Sequence, residues 1–144
     1  MHLSPHFTLE ELTVSEAAAR HGISNVPDNE SLMNLRRLAK FLEEVRALMG
    51  KPLRINSAYR SPEVNALVKG SRTSQHCKGC AADIRVPGMT PDQVVRAIVA
   101  SDLQFDQVIR EFDSWTHISI PNAADGKPRK QALIIDKKGS RRFA

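Results

Sequence analysis

One stretch, residues 74–83 with the sequence SQHCKGCAAD, constrains this chain more than any other. It fits the pattern S-x-H-x-x-G-x-A-x-D, with Ser74, His76, Gly79, Ala81 and Asp83 in place. A histidine and an aspartate this close in sequence can hold one Zn²⁺ only if the chain turns sharply between them. Gly79 permits that turn, because glycine takes backbone angles that other residues avoid. Catalytic zinc usually has three protein ligands and keeps a fourth position for water. The third ligand must come from elsewhere, and the best candidate is His117 in EFDSWTHISI. These residues imply a hydrolase that carries one Zn²⁺.

The chain has five histidines. His2, His6 and His21 sit in N-terminal segments without acidic neighbours of this kind and read as surface residues. His117 taken alone could equally be a core histidine beside Trp115 and Ile118, but one metal explains His76 and His117 together. Asp83 strengthens the set, since an aspartate entering the apolar run AADIRV is costly to bury unless paired or bound to metal. Two neutral imidazoles and one carboxylate leave a site net positive and open, which lowers the pKa of bound water towards neutrality.

Hydrolysis by a zinc-activated water also needs a general base. Glu111 and Asp113 are the carboxylates nearest His117 in sequence. In a hairpin, Glu111 at the end of one strand comes close to His117 on the other, and it is the first choice. Asp113 falls in the turn, where an aspartate ordinarily bonds its own backbone, and it is the second. Arg60 follows a strand and precedes a capped helix, so it can present a planar guanidinium to a carboxylate or an oxyanion. Ser74 can bond substrate or stiffen its loop, and Trp115 can wall a pocket or fill the core.

The local signals give an α+β fold with helices segregated before a small, mostly antiparallel sheet. Thr8 with Glu11 predicts a capped helix ahead of Leu12, and Ser15 a second turn ending at Gly22. A long helix is expected over about 28–49, where Leu32, Leu35, Leu38, Leu42, Val45 and Met49 recur at three- and four-residue steps. Gly50 ends it and Pro52 prevents its resumption. Residues 53–57 read as a strand, and Ser61–Pro62 opens a short helix. AADIRV is a second strand, and Thr90 caps a helix over about 91–101. Residues 107–111 and 115–120 form a hairpin, and 131–136 a further strand. The expectation is a single domain over 1–144, with its core at about 7–136 and a basic tail at 137–144.

The net charge of +5 predicts attraction to polyanions: nucleic acid, an anionic cell wall or a membrane surface. Specific nucleic-acid binding ranks last, because no recognition motif is present and only 5% of residues are aromatic. No apolar run approaches the roughly 20 residues of a membrane span. MHLSPHFTLEEL lacks the layout of a signal peptide, so synthesis in the cytoplasm is expected. Two cysteines, Cys77 and Cys80, exclude a Cys₄ site within one chain. They read as incidental thiols beside the metal rather than as a redox pair or a disulfide.

SAYRSPEVN, SQHCKGCAAD and QVIREFDSWTHIS together resemble the D-alanyl-D-alanine carboxypeptidase-like zinc peptidases, whose fold the hedgehog signalling domain shares. The resemblance runs from about Phe7 to Ile120, and FTLEELTVSEAAARHGISNVP is similar to the short phage and prophage endolysin branch. It implies zinc held by His76, Asp83 and His117, substrate bound by Arg60, and a carboxylate near His117 as base. Many members place that acid three residues before the last histidine, where this chain has Ser114. Glu111 stands six before, in the E-F-x-x-W-x-H arrangement of the phage branch. The implied activity is cleavage of peptidoglycan stem peptides by a monomer, delivered to the wall or periplasm through a holin or a virion. D-Ala-D-Ala, L-Ala-D-Glu and cross-bridge bonds all stay open as targets, as does a wall-binding or phage structural module that holds zinc without cutting.

Overall fold

Helix caps set the first half of the chain in the computed structural model, which describes residues 1–143. The Thr8 hydroxyl accepts the Glu11 N–H at the start of α1 (Leu9–Thr13), and Ser15 does the same for α2 (Glu16–His21). Asp28 caps α3 (Asn29–Met49), which ends on Gly50 in the left-handed region. One face of α3 buries Leu35, Leu38, Leu42 and Val45 completely, as the three- and four-residue spacing requires. No local signal pointed to β1 (His2–Ser4) and β2 (Phe7–Thr8), a two-stranded ribbon that packs Phe7 into the core.

After α3 come β3 (Arg54–Ser57), α4 (Pro62–Leu67), a 3-10 turn (Gln75–Lys78) and β4 (Ala81–Arg85). Then follow α5 (Pro91–Val99), β5 (Gln107–Glu111), β6 (Trp115–Ser119), β7 (Gln131–Asp136) and β8 (Gly139–Arg142). The main sheet has the order β3-β4-β6-β5-β7-β8. All its pairings are antiparallel except β5 with β7, so the sheet is mixed and the fold α+β. The parallel pairing arises because the segment after β6 crosses over the N-terminal start of β5 before β7 begins.

The expected basic tail at 137–144 instead belongs largely to the sheet. Residues 139–142 are the edge strand β8, paired with β7 through Leu133↔Arg142 to Asp136↔Gly139. A tight turn at Lys137–Lys138 and the open backbone of Gly139 (φ +100°) close that hairpin. Ala144, the last residue of the expected tail, lies outside the described residues.

Side-chain alternation divides the sheet into two faces. Ala82, Ile84, Val108 and Ile118 point to one face and join α3 and the Val94, Val95 and Ile98 stripe of α5 in the core. The other face is left for chemistry.

Candidate metal centre

Register brings the polar face together. Asp83 lies opposite His117 across β4 and β6, and His117 lies opposite Ile109 across β6 and β5. Glu111 lies opposite Trp115. Cross-strand partners share a face, so Asp83, His117, Glu111 and Trp115 all stand on the side away from α3 and α5.

His76 comes from the 3-10 turn just ahead of β4. Ser74 caps that turn by accepting the His76 N–H, and Gly79 ends it at φ +75°. Gly79 is doubly constrained, because a Cβ built there would stand 2.7 Å from the Ser31 carbonyl oxygen of α3. Asn34 of α3 fixes the same turn by donating to the Lys78 carbonyl at 2.9 Å. The long helix thus positions the first histidine through backbone contact.

His76 Nε2 is 3.3 Å from Asp83 Oδ1, and His117 Nδ1 is 3.1 Å from the same oxygen. One ligand atom from each of the three residues lies within 4.8 Å of the others. A tetrahedral zinc with bonds of about 2.0–2.1 Å separates its ligand atoms by about 3.3 Å, so the donor set fits that ion. His76 Nδ1 stands 2.6 Å from the Ala58 carbonyl. Donating its proton there leaves Nε2 as a lone-pair donor facing Asp83, the arrangement that metal-binding histidines adopt. The rings are well enclosed, at 2% exposed for His76 and 8% for His117. Burial pushes the Asp83 carboxyl up, but the imidazoles beside it, His117 first and then His76, outweigh it and hold the pKa well below the usual carboxylate range. Asp83 is therefore ionised and ready to bind a cation.

The three residues open onto a groove of about 830 Å³, which Arg60, Ser74, Glu111 and Trp115 also line. The groove continues to Asn122, Lys127 and Arg129 on the crossover segment. Burial, reinforced by the nearby Asp83 carboxylate, raises the Glu111 pKa. Arg60 is tied to the histidine loop by its N–H, which donates to the His76 carbonyl at 3.1 Å. Its Nε and the Trp115 Nε1 are both buried without a hydrogen-bond partner. Asp113 does not join the cluster. It sits in the turn after Phe112, both residues with positive φ, and pairs with Arg110 Nε at 2.9 Å beside a different groove. Ser114 also stays outside, donating to the Phe112 carbonyl. Cys77 and Cys80 are free thiols, the first half-buried and the second buried.

Three supporting residues escaped the sequence reading. Asn25 donates to the Thr13 and Tyr59 carbonyls and accepts from the Ser61 N–H, clamping the loop that carries Arg60. Asp106, only 4% exposed, receives the Arg129 guanidinium and backbone N–H and the Gln75 amide. Gln75 also donates to the Ile120 carbonyl at 2.9 Å, next to the Asn122 side chain. That network ties the histidine turn to the crossover segment. A sequence signal existed only for Gln75, which adjoins His76; Asp106 and Arg129 are 23 residues apart with no shared pattern.

Residues 5–119 match the protein family Peptidase M15. The match includes every residue of the cluster and stops before the crossover segment, β7 and β8. No curated protein matches the chain.

Proposed function

Because this chain belongs to the Peptidase M15 family of zinc-dependent peptidases, we propose that it hydrolyses peptide bonds in peptidoglycan stem peptides. Either a terminal D-Ala-D-Ala bond or an internal L-Ala-D-Glu bond suits the reading. One observation carries it: His76, Asp83 and His117 converge on the floor of a groove that Glu111 and Arg60 also line. In this reading His76, Asp83 and His117 hold one Zn²⁺. The ion, when bound, supplies Lewis-acid polarisation of the scissile carbonyl and acidifies water.

The remaining work falls to the chain itself. Glu111 takes a proton from the attacking water as its oxygen bonds to the carbonyl carbon, then passes that proton to the amine nitrogen as the C–N bond breaks. Its raised pKa suits this double task, since a base nearer neutrality also returns its proton readily. Asp113 is too far round the turn to substitute, held by Arg110 on the opposite side of the strand. Arg60 offers its guanidinium to a substrate carboxylate or to the charge that develops on the carbonyl oxygen. Ser74 and Trp115 shape the wall beside it. Lys127, at the far end of the groove, favours a substrate with carboxylates, as stem peptides have.

Digestion of purified peptidoglycan by zinc-loaded and by chelator-treated protein tests the proposal, with mass analysis of the released fragments. Release of D-alanine, or of peptides with a new D-glutamyl amino terminus, in the zinc-loaded sample alone is expected. Folded, zinc-loaded protein that releases nothing from several wall types would favour a module that binds the wall without cutting.

A further inference from the structure

The charge of this chain is divided unevenly. Residues 1–120 hold fourteen Lys and Arg against fourteen Asp and Glu, whereas residues 121–144 hold seven against two. The whole excess of +5 therefore lies in the segment beyond the family match. Two of those seven cations are engaged, Arg129 by Asp106 and Arg141 by Asp136. Lys127, Lys130, Lys137, Lys138 and Arg142 have no ion-pair partner among the described residues and are exposed.

Sheet register gives these charges a direction. One row across the sheet reads Asp83, His117, Ile109, Leu133 and Arg142, through successive pairings. Arg142 thus projects on the same face as the metal cluster, three strands from His117. At the usual strand spacing that is about 14 Å, the span of about four extended residues. Arg129 lines both the site groove and a second groove of about 490 Å³, formed with Lys130, Leu133, Arg142 and Phe143. The band then follows β7 from Lys130 to the Lys137–Lys138 turn, about 23 Å along the strand. A row of unpaired cations of that length suits a polymer with repeated charges better than a single carboxylate.

We propose that the crossover segment and the β7–β8 hairpin form a docking surface for a phosphodiester-linked anionic polymer of the cell wall. The surface would hold the enzyme on the wall with the groove facing its peptides. The choice of a wall polymer rests on the peptidoglycan reading of the groove; the polyanion site itself does not. A nucleic acid fits less well, because single-stranded binding uses aromatic stacking platforms. The only aromatic in this segment, Phe143, is already covered by the Arg96 guanidinium at 5.1 Å.

The test is co-sedimentation of the full chain with isolated walls that carry their phosphodiester polymer, and with the same walls stripped of it by acid. Retention on the intact walls, loss on the stripped ones and release by rising salt are expected. Replacing Lys130, Lys137, Lys138 and Arg142 together by Gln should weaken retention about tenfold or more. The variant should keep the wild-type melting temperature and wild-type cleavage of a soluble stem peptide. The Lys137→Gln, Lys138→Gln pair alone, confined to the turn, should give a smaller loss. Equal retention on stripped walls, unchanged retention of the fourfold variant, or displacement by a short DNA duplex at lower charge concentration than by the free polymer would each overturn the proposal. A chain that cuts no peptide yet shows the expected retention would contradict the peptidase reading and leave the docking surface standing.

Discussion

Glu111 and Asp113 stand two residues apart, yet a strand end and a turn give them different surroundings. Glu111 faces the groove with His76, Asp83 and His117, whereas Asp113 turns to Arg110. Replacing Glu111 by Gln should lower peptide hydrolysis by about 10²–10⁴-fold while zinc content stays at that of the wild type. Asp113→Asn should leave the rate within a few-fold. Steady-state cleavage assays beside metal analysis distinguish the two. Asp106 invites a second experiment, on stability. Burial works against its charge, but bonds from Arg129 prevail and lower its pKa from 3.8. Its contribution is therefore present above the unfolded value and lost as pH falls through the lower folded one. Asp106→Asn should cost roughly 1–3 kcal/mol at neutral pH, and the difference from wild type should shrink as urea unfolding of metal-free protein is moved below about pH 3.8. A constant difference down to pH 2 would contradict the assignment.

At the scale of elements, the helix caps and the glycine turn were open to reading because their causes are local. Thr8, Ser15, Ser61 and Thr90 cap helices where caps were expected, and Asp28 caps α3 at the expected start of the long helix. The hairpin that sets Glu111 beside Trp115 was equally legible, as two strand-like runs joined by a tight loop. The parallel placement of β7 beside β5 and the pairing of β8 were not, since both depend on contacts distant in sequence. The basic composition of residues 137–144 suggested a tail, yet pairing of Gly139–Arg142 with β7 joins the backbone to the sheet and leaves the charged side chains exposed, so charge did not oppose a strand. Gly79 joins the local and the distant. Its positive φ was foreseeable, but its contact with the α3 backbone was not. Gly79→Ala combines left-handed strain with a Cβ 2.7 Å from the Ser31 carbonyl oxygen, and it should destabilise the fold by about 1–3 kcal/mol or more. Thermal melting is the check. A Gly50→Ala control, which has the same left-handed strain but open space around its Cβ, should cost less.

For the molecule as a whole, the sheet is an interface between two tasks. One face is closed by α3 and α5 into the core, and the other carries the cluster at the meeting of β4, β6 and the turn before β4. The claim on which the rest depends is that three side chains, two from the turn and strand around residues 76–83 and one from β6, hold one zinc ion. The most direct test is elemental analysis of zinc per chain after exhaustive dialysis, for the wild type and for His76→Ala, Asp83→Ala and His117→Ala. One zinc per wild-type chain is expected, with loss in each variant that still melts cooperatively. Full zinc occupancy in the folded variants, or none in a wild type dialysed against buffered zinc, would contradict it.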